Sequence, residues 1–134
     1  MALSITKPTS GSASFFGTTT SDDFVLGSAS DDTITGGVQS LSAASAYLAD
    51  GADTMEGGLG DDKYIVNDST DVVTEYAGEG IDTVFTTVSY TLGSELEYVV
   101  AAGTTGITLT GNAKDNVLDG SQGTGADTLI GGSW

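Results

Sequence analysis

Carboxylates recur in this chain at a fixed interval, and the interval decides what chemistry they can do. Asp23 and Asp32 lie nine residues apart, and so do Asp53 and Asp62. Each is followed two residues later by an apolar side chain, Val25, Ile34, Met55 or Tyr64. Asn116 and Asp127 hold the same place ahead of Leu118 and Leu129, nine residues apart plus a two-residue insertion, Gly123-Thr124. The residues before each of these positions are rich in Gly, Ser, Asn and Asp, which accept tight turns and positive φ. An acid on such a turn offers a carboxylate, and the turn itself offers backbone carbonyls. Stacked turns bring both kinds of oxygen to one point. Calcium takes about six to eight oxygen ligands of these two kinds.

Catalysis fits the same residues poorly. The chain has no His, no Arg and no Cys, so the usual nucleophile–base pairs and phosphate clamps are missing. Glu75, Glu79, Glu95 and Glu97 could be imagined as a carboxylate pair for glycoside hydrolysis. With no Arg or His to tune them, they read as a solvated acidic face. Three lysines, Lys7, Lys63 and Lys114, stand against 19 acidic residues, for a net charge of −16. That excludes partners held by clustered basic residues, namely nucleic acid and anionic membranes. It also opposes compaction until something neutralises the charge, and a divalent cation would.

The elements that must carry these carboxylates are short. Residues 27–35 read GSASDDTIT and residues 57–65 read GGLGDDKYI. The last three positions of each unit form a strand with its middle side chain inward. A strand of three residues is not stable alone. Stacked in parallel, two units to a coil, such strands bury one continuous ladder: Val25, Ile34, Met55, Tyr64, Leu118 and Leu129. Turns on one side then recur every eighteen residues, not counting insertions. That register sets Asp23 over Asp53 and Asp32 over Asp62. The third unit begins at Gly36 and resumes at Gly51, so residues 39–50 are a twelve-residue insertion at a turn, which a solenoid tolerates.

The pattern resembles the RTX, or haemolysin-type calcium-binding, nonapeptide G-G-x-G-x-D-x-U-x. The closest unit is Gly57-Gly58-Leu59-Gly60-Asp61-Asp62-Lys63-Tyr64-Ile65. The resemblance implies an all-β fold, a right-handed parallel β-roll or β-solenoid with short strands and a less regular middle segment. It also implies folding on calcium binding and export by type I secretion. The candidate metal ligands are Asp32 and Asp62 first, then Asp23, Asp53 and Asp127. Gly27, Ser30, Gly57, Gly58 and Gly60 stand in the turns as carbonyl donors. Two or more calcium ions are expected. The departures fall on residues 18–26, which lack the glycines, on the 39–50 insertion, and on Asn116 and Ile107, which replace the carboxylate.

The chain divides accordingly. Residues 1–17 read as a leader or N-terminal cap, 18–65 as a first repeat array, 66–110 as a β-rich spacer that continues the roll, and 111–134 as a second, degenerate array. Residues 39–49 suit either one or two helical turns or a surface loop. Residues 82–92, DTVFTTVSYTL, read as one longer strand, and Gly80-Ile81-Asp82-Thr83-Val84 keeps half of the repeat motif. The aromatics Tyr64, Tyr76, Phe85, Tyr90 and Tyr98 are expected in the core. No run of eighteen apolar residues provides a membrane span, and the first sixteen residues lack the form of a cleaved secretion signal. The expected function is a non-enzymatic, calcium-dependent module outside the cell or on its surface. Two other uses remain open: a module that binds a cell-surface polysaccharide or ice, and a subunit that stacks end to end with itself, unless Trp134 folds back as a cap.

Overall fold

The computed structural model describes residues 4–5, 14–16, 24–27, 30, 32–35 and 51–133. Asp23, the 39–50 insertion and Trp134, all singled out from the sequence, lie outside the described residues. Within them the chain is all-β, with no helix. No helix is long and apolar enough to cross a membrane.

Thirteen short strands follow one another: β1 (Ser4–Ile5), β2 (Ser14–Phe16), β3 (Phe24–Leu26), β4 (Thr33–Thr35), β5 (Thr54–Glu56), β6 (Lys63–Val66), β7 (Val72–Thr74), β8 (Thr83–Thr86), β9 (Tyr90–Thr91), β10 (Tyr98–Ala101), β11 (Thr108–Thr110), β12 (Val117–Asp119) and β13 (Thr128–Ile130). Every pairing is parallel and joins strands two apart in the chain. Odd strands form a four-stranded sheet, β1-β3-β5-β7, and a three-stranded sheet, β9-β11-β13. Even strands form one six-stranded sheet, β2-β4-β6-β8-β10-β12. This is the two-units-per-coil register read from the sequence, with Thr33 opposite Lys63 and Phe24 opposite Thr54. The insertion between β4 and β5 leaves the register intact. Two strands within residues 1–17 also join the stack, β1 on β3 and β2 on β4.

Alternation along each strand builds the core. In β6, β8 and β10 the second and fourth residues are buried and the first and third are not. Val25, Met55 and Val73 from one sheet meet Ile34, Tyr64, Val84 and Val99 from the six-stranded sheet in one apolar cluster, which Leu109 extends. The end of the expected ladder differs. Leu118 is half-buried, and Leu129, in register with fully buried Leu109, is 49% exposed. Among the described residues β13 pairs only with β11, so no further strand covers Leu129.

Two expectations are corrected. Residues 82–92 form two strands rather than one, because Thr86 points inward and its hydroxyl must be satisfied. That hydroxyl donates to the Val88 carbonyl (2.8 Å) and accepts from the Val88 N–H (3.1 Å), which closes a turn and ends β8. The aromatics also divide. Tyr64 is in the core and Tyr90 packs against it, but Tyr76 is 56% and Tyr98 38% exposed. Tyr98 and Phe85 occupy outward positions of the pleat, and Tyr76 sits on a turn.

The ladder makes a direct prediction. Leu109→Ala should cost about 2–5 kcal/mol in chemical denaturation, as large-to-small changes at fully buried sites do. Leu129→Ala, at the next rung, should cost less than half as much.

Candidate metal centre

The residue just before each strand is the recurring element of the site. In the six-stranded sheet those residues are Asp32, Asp62, Asp82, Glu97 and Asn116. In the other sheets they include Asp53, Asp71, Ile107 and Asp127. The carbonyls of Asp32, Asp53, Asp62, Asp82, Glu97 and Ile107 accept the first strand N–H of the following coil, as when Lys63 donates to Asp32 (2.8 Å) and Thr83 to Asp62 (2.9 Å). The N–H of such a residue then needs an acceptor beyond the end of the ladder. For Asp32, Asp53, Asp62, Asp82 and Ile107 the next coil's carboxylate supplies it. The Asp32 N–H donates to Asp62 Oδ1 (2.6 Å), that of Asp62 to Asp82 Oδ1 (2.8 Å), and that of Asp82 to Glu97 Oε2 (3.1 Å). On the other side Asp53 donates to Asp71 Oδ1 (3.1 Å) and Ile107 to Asp127 Oδ1 (3.0 Å). One oxygen of each of these carboxylates thus ties two coils together, and at Asp71 the second accepts from the Asn67 and Asp68 N–H groups of its own turn.

The described ligand candidates take these places. Asp32, Asp53 and Asp62 are all buried, and Asp32 stacks in register with Asp62. Gly27 and Gly57 stack so closely that a Cβ on Gly27 would drive into the Gly57 carbonyl. Gly58 and Gly60 take φ of 93° and 123°, the left-handed region where glycine is favoured. Ser30 lies half-buried on the turn before Asp32. Asp127 is distant from these, in the last described turn.

The donor set around Asp127 fits a hard cation. Its Oδ2 is buried and has no hydrogen-bond partner among the described residues. A Cβ built on Gly123 would sit 3.3 Å from that oxygen, 3.4 Å from the Gly103 carbonyl and 3.6 Å from the Ala101 carbonyl. Glycine keeps this oxygen-lined cradle open. At Asn116 the opposite holds. Its Oδ1 accepts from the Asn112 N–H (2.7 Å) and its Nδ2 donates to the Leu96 carbonyl (3.1 Å). The amide N–H supplies the positive partner that an ion would otherwise offer those oxygens. Beside it, Lys114 Nζ lies 2.6 Å from Glu95 and 3.9 Å from Glu97.

The structure also adds residues that sequence reasoning passed over. Asp71 and Asp82 continue the two aspartate columns. Asp82 left a signal in the half-motif at 80–84, whereas Asp71 follows a turn without glycine, Val66-Asn67-Asp68-Ser69-Thr70. Glu75 is the larger surprise. Its carboxylate meets those of Asp62 and Asp82, with one oxygen of each lying within 4.8 Å of the others. The Tyr64 hydroxyl donates to Glu75 Oε1. Burial pushes Glu75 up to about 9, reinforced by the charge of Asp82, a hydrogen bond with Glu79 and the charges of Asp62 and Glu79. Burial also lifts Asp82 to about 6; the Asp62 N–H pulls against that rise, and the charges of Glu97, Asp61 and Glu79 add to it.

Comparison with known proteins agrees with this geometry. A family model for the RTX calcium-binding nonapeptide repeat matches residues 18–39, 47–73 and 103–133. The endo-1,3-1,4-beta-glycanase ExsH of Rhizobium meliloti (strain 1021) is 44% identical over 71 residues, which is 53% of this chain. The matched stretch spans only 15% of that protein's length. No solved structure matches the chain. With more than half of its residues matched by the family model, and Asp32, Asp62 and Asp82 stacked in register, the chain belongs to the RTX calcium-binding nonapeptide repeat family.

Proposed function

We propose that this chain is a non-catalytic calcium-binding module that works outside the cell and closes into a right-handed parallel β-roll when calcium enters its turns. The observation that carries the reading is the aspartate ladder, in which one carboxylate oxygen bonds the previous coil and the other faces a turn. Asp32 and Asp62, with carbonyls of Gly27, Ser30, Gly57, Gly58 and Gly60, hold one ion. Asp127, with the Ala101 and Gly103 carbonyls, holds another. Asp53 and Asp71 form a further column, and the repeat spacing of the sequence assigns Asp23 to it. Calcium supplies positive charge and joins about six to eight oxygens from neighbouring turns.

The energetic logic follows from the charge. A chain of net charge −16 with buried carboxylates stacked in columns repels itself. Ion binding and folding are then one event, as in other small metal-organised domains. Where calcium is scarce the chain stays open, a state suited to export. Outside, where calcium is abundant, it folds.

A calcium titration followed by far-ultraviolet circular dichroism tests this. The chain should lack β signal in chelator, gain it with calcium, and gain little with magnesium, whose rigid octahedral shell suits carbonyl-rich turns poorly. Asp62→Asn should raise the calcium midpoint, whereas Asp115→Asn, at an exposed position, should not. Equal β signal in chelator and in calcium would reduce the aspartates to turn residues.

Protons should partly stand in for the ion. Without a divalent cation, the folded form keeps protons on Glu75 (about 9) and Asp82 (about 6) that the unfolded chain, with ordinary values of 4.5 and 3.8, has released. The folded state binds more protons, so its stability rises as pH falls through these values and levels off below the ordinary carboxylate range. In chelator, β signal should therefore increase on acidification from above pH 9. A decrease over that range would contradict the protonated carboxylate cluster.

A further inference from the structure

The register between coils gives Glu75 an unusual place. Leu26 pairs with Glu56 and Glu56 with Thr74, so Gly27, Gly57 and Glu75 occupy the same position in successive coils. The first two coils have the leading glycine of the repeat there. A Cβ on Gly57 would strike the Asp62 carboxylate and the Tyr64 hydroxyl. In the third coil the position carries a long acidic side chain. It reaches back toward those same two groups, taking the Tyr64 hydroxyl on Oε1 and bringing its carboxylate to Asp62 and Asp82.

We propose that Glu75 turns this coil into a carboxylate-built cation site, in which Asp62, Glu75 and Asp82 together hold one divalent cation. The proposal rests on the calcium-module reading above, and adds a site whose ligands are side chains rather than mainly turn carbonyls. Its first support is the donor set. Asp62 and Asp82 are each 1% exposed, and one oxygen from each of the three residues falls within a 4.8 Å span. Its second support is independent of the grouping: Glu75 Oε2 is buried and has no hydrogen-bond partner among the described residues. A carboxylate oxygen withdrawn from water needs a proton or a cation as partner. A cavity of about 200 Å³ lies beside Glu75, between it and Gly93, Ser94 and Glu95.

The neighbouring acidic group shows the alternative solution. Glu95 and Glu97 meet the ammonium of Lys114, a cation supplied by the chain itself. Three carboxylates also exceed the charge of one calcium ion. Affinity in oxygen-ligand sites is tuned by ligand charge, and a divalent cation offsets the repulsion among the three. The ion it takes joins the last regular repeat to the less regular segment after it, because Asp62 precedes β6, Glu75 follows β7 and Asp82 precedes β8.

The test counts bound calcium per chain by equilibrium dialysis in wild type, Glu75→Gln and Glu75→Gly, with folding followed by circular dichroism. Both variants should fold at saturating calcium with one ion fewer. The glycine variant restores the residue used by the earlier coils, so packing is not the reason for the loss. An unchanged ion count in variants that fold overturns the proposal. If neither variant folds, terbium luminescence of the wild type excited through tyrosine decides: Tyr64→Phe should remove most of the emission although Tyr47, Tyr76, Tyr90 and Tyr98 remain. Emission unchanged by Tyr64→Phe overturns the proposal as well. A wild type that neither binds calcium nor folds with it overturns the module reading instead, and this inference with it.

Discussion

The stack depends on one interaction, the bond between the last backbone N–H before a strand and a carboxylate of the next coil. A parallel ladder of three-residue strands leaves that N–H outside its regular hydrogen bonds, and burial makes an unpaired donor costly. Asp62, Asp82, Glu97, Asp71 and Asp127 each supply the missing acceptor to the coil before them. The bond fixes register, because a slip of one residue would move the acid to the wrong face of the pleat. It also concentrates negative charge in columns at the ends of the strands. The feature that aligns the coils is therefore also the one that gathers like charge along the stack.

The chain answers this charge in different ways along a single column. At Asp62 the turn is glycine-rich, with Gly57, Gly58 and Gly60, and the Gly57 backbone packs against the Asp62 carboxylate, which also accepts the Asp32 N–H. One coil further on, Glu75 brings in another carboxylate and the local charge deepens. Beyond that, Lys114 meets Glu95 and Glu97, and Asn116 replaces the acid with an amide that donates to a carbonyl. The backbone scaffold continues through all of these, since β6, β8, β10 and β12 remain parallel and in register. The ladder is thus separable from the metal chemistry. It needs an acceptor at each step, while unbalanced charge builds up only where the acceptors are acids with no basic or amide group beside them.

Much of this was legible in the sequence, because one period served two purposes. An acid two residues ahead of an apolar side chain marks both the turn and the inward position, so Asp32, Asp53, Asp62 and Asp127, and the inward Ile34, Met55 and Tyr64, could be placed without coordinates. The pairing of Asp32 with Asp62 across the insertion followed from the same count. Glu75 could not be read this way. Its importance comes from occupying a glycine position of the motif, and that position is defined there only by strand pairing, since residues 66–75 carry no glycine. The division of residues 82–92 into two strands was equally hidden. A run of β-branched residues promotes a strand, but an inward Thr86 hydroxyl bonded to Val88 overrides it. The aromatics misled because composition does not say which face of the pleat a side chain takes.

These differences give the less regular middle segment a physical role. A uniform array of glycine-rich turns would need an ion at nearly every step. Here the column changes within a few coils from buried acids at Asp62 and Asp82 to the internally satisfied Asn112 and Asn116 turn. The transition runs through Glu75, the residue that departs most from the repeat. Acid-rich and self-satisfied turns thereby share one set of continuous strands and one apolar core, in which Tyr64, Val84, Val99 and Leu109 belong to the same cluster. Strand pairing couples each coil to its neighbours, so order at one turn is felt at the next. The segment that interrupts the repeat is therefore where the acid-rich part of the stack meets the part that balances its own charge.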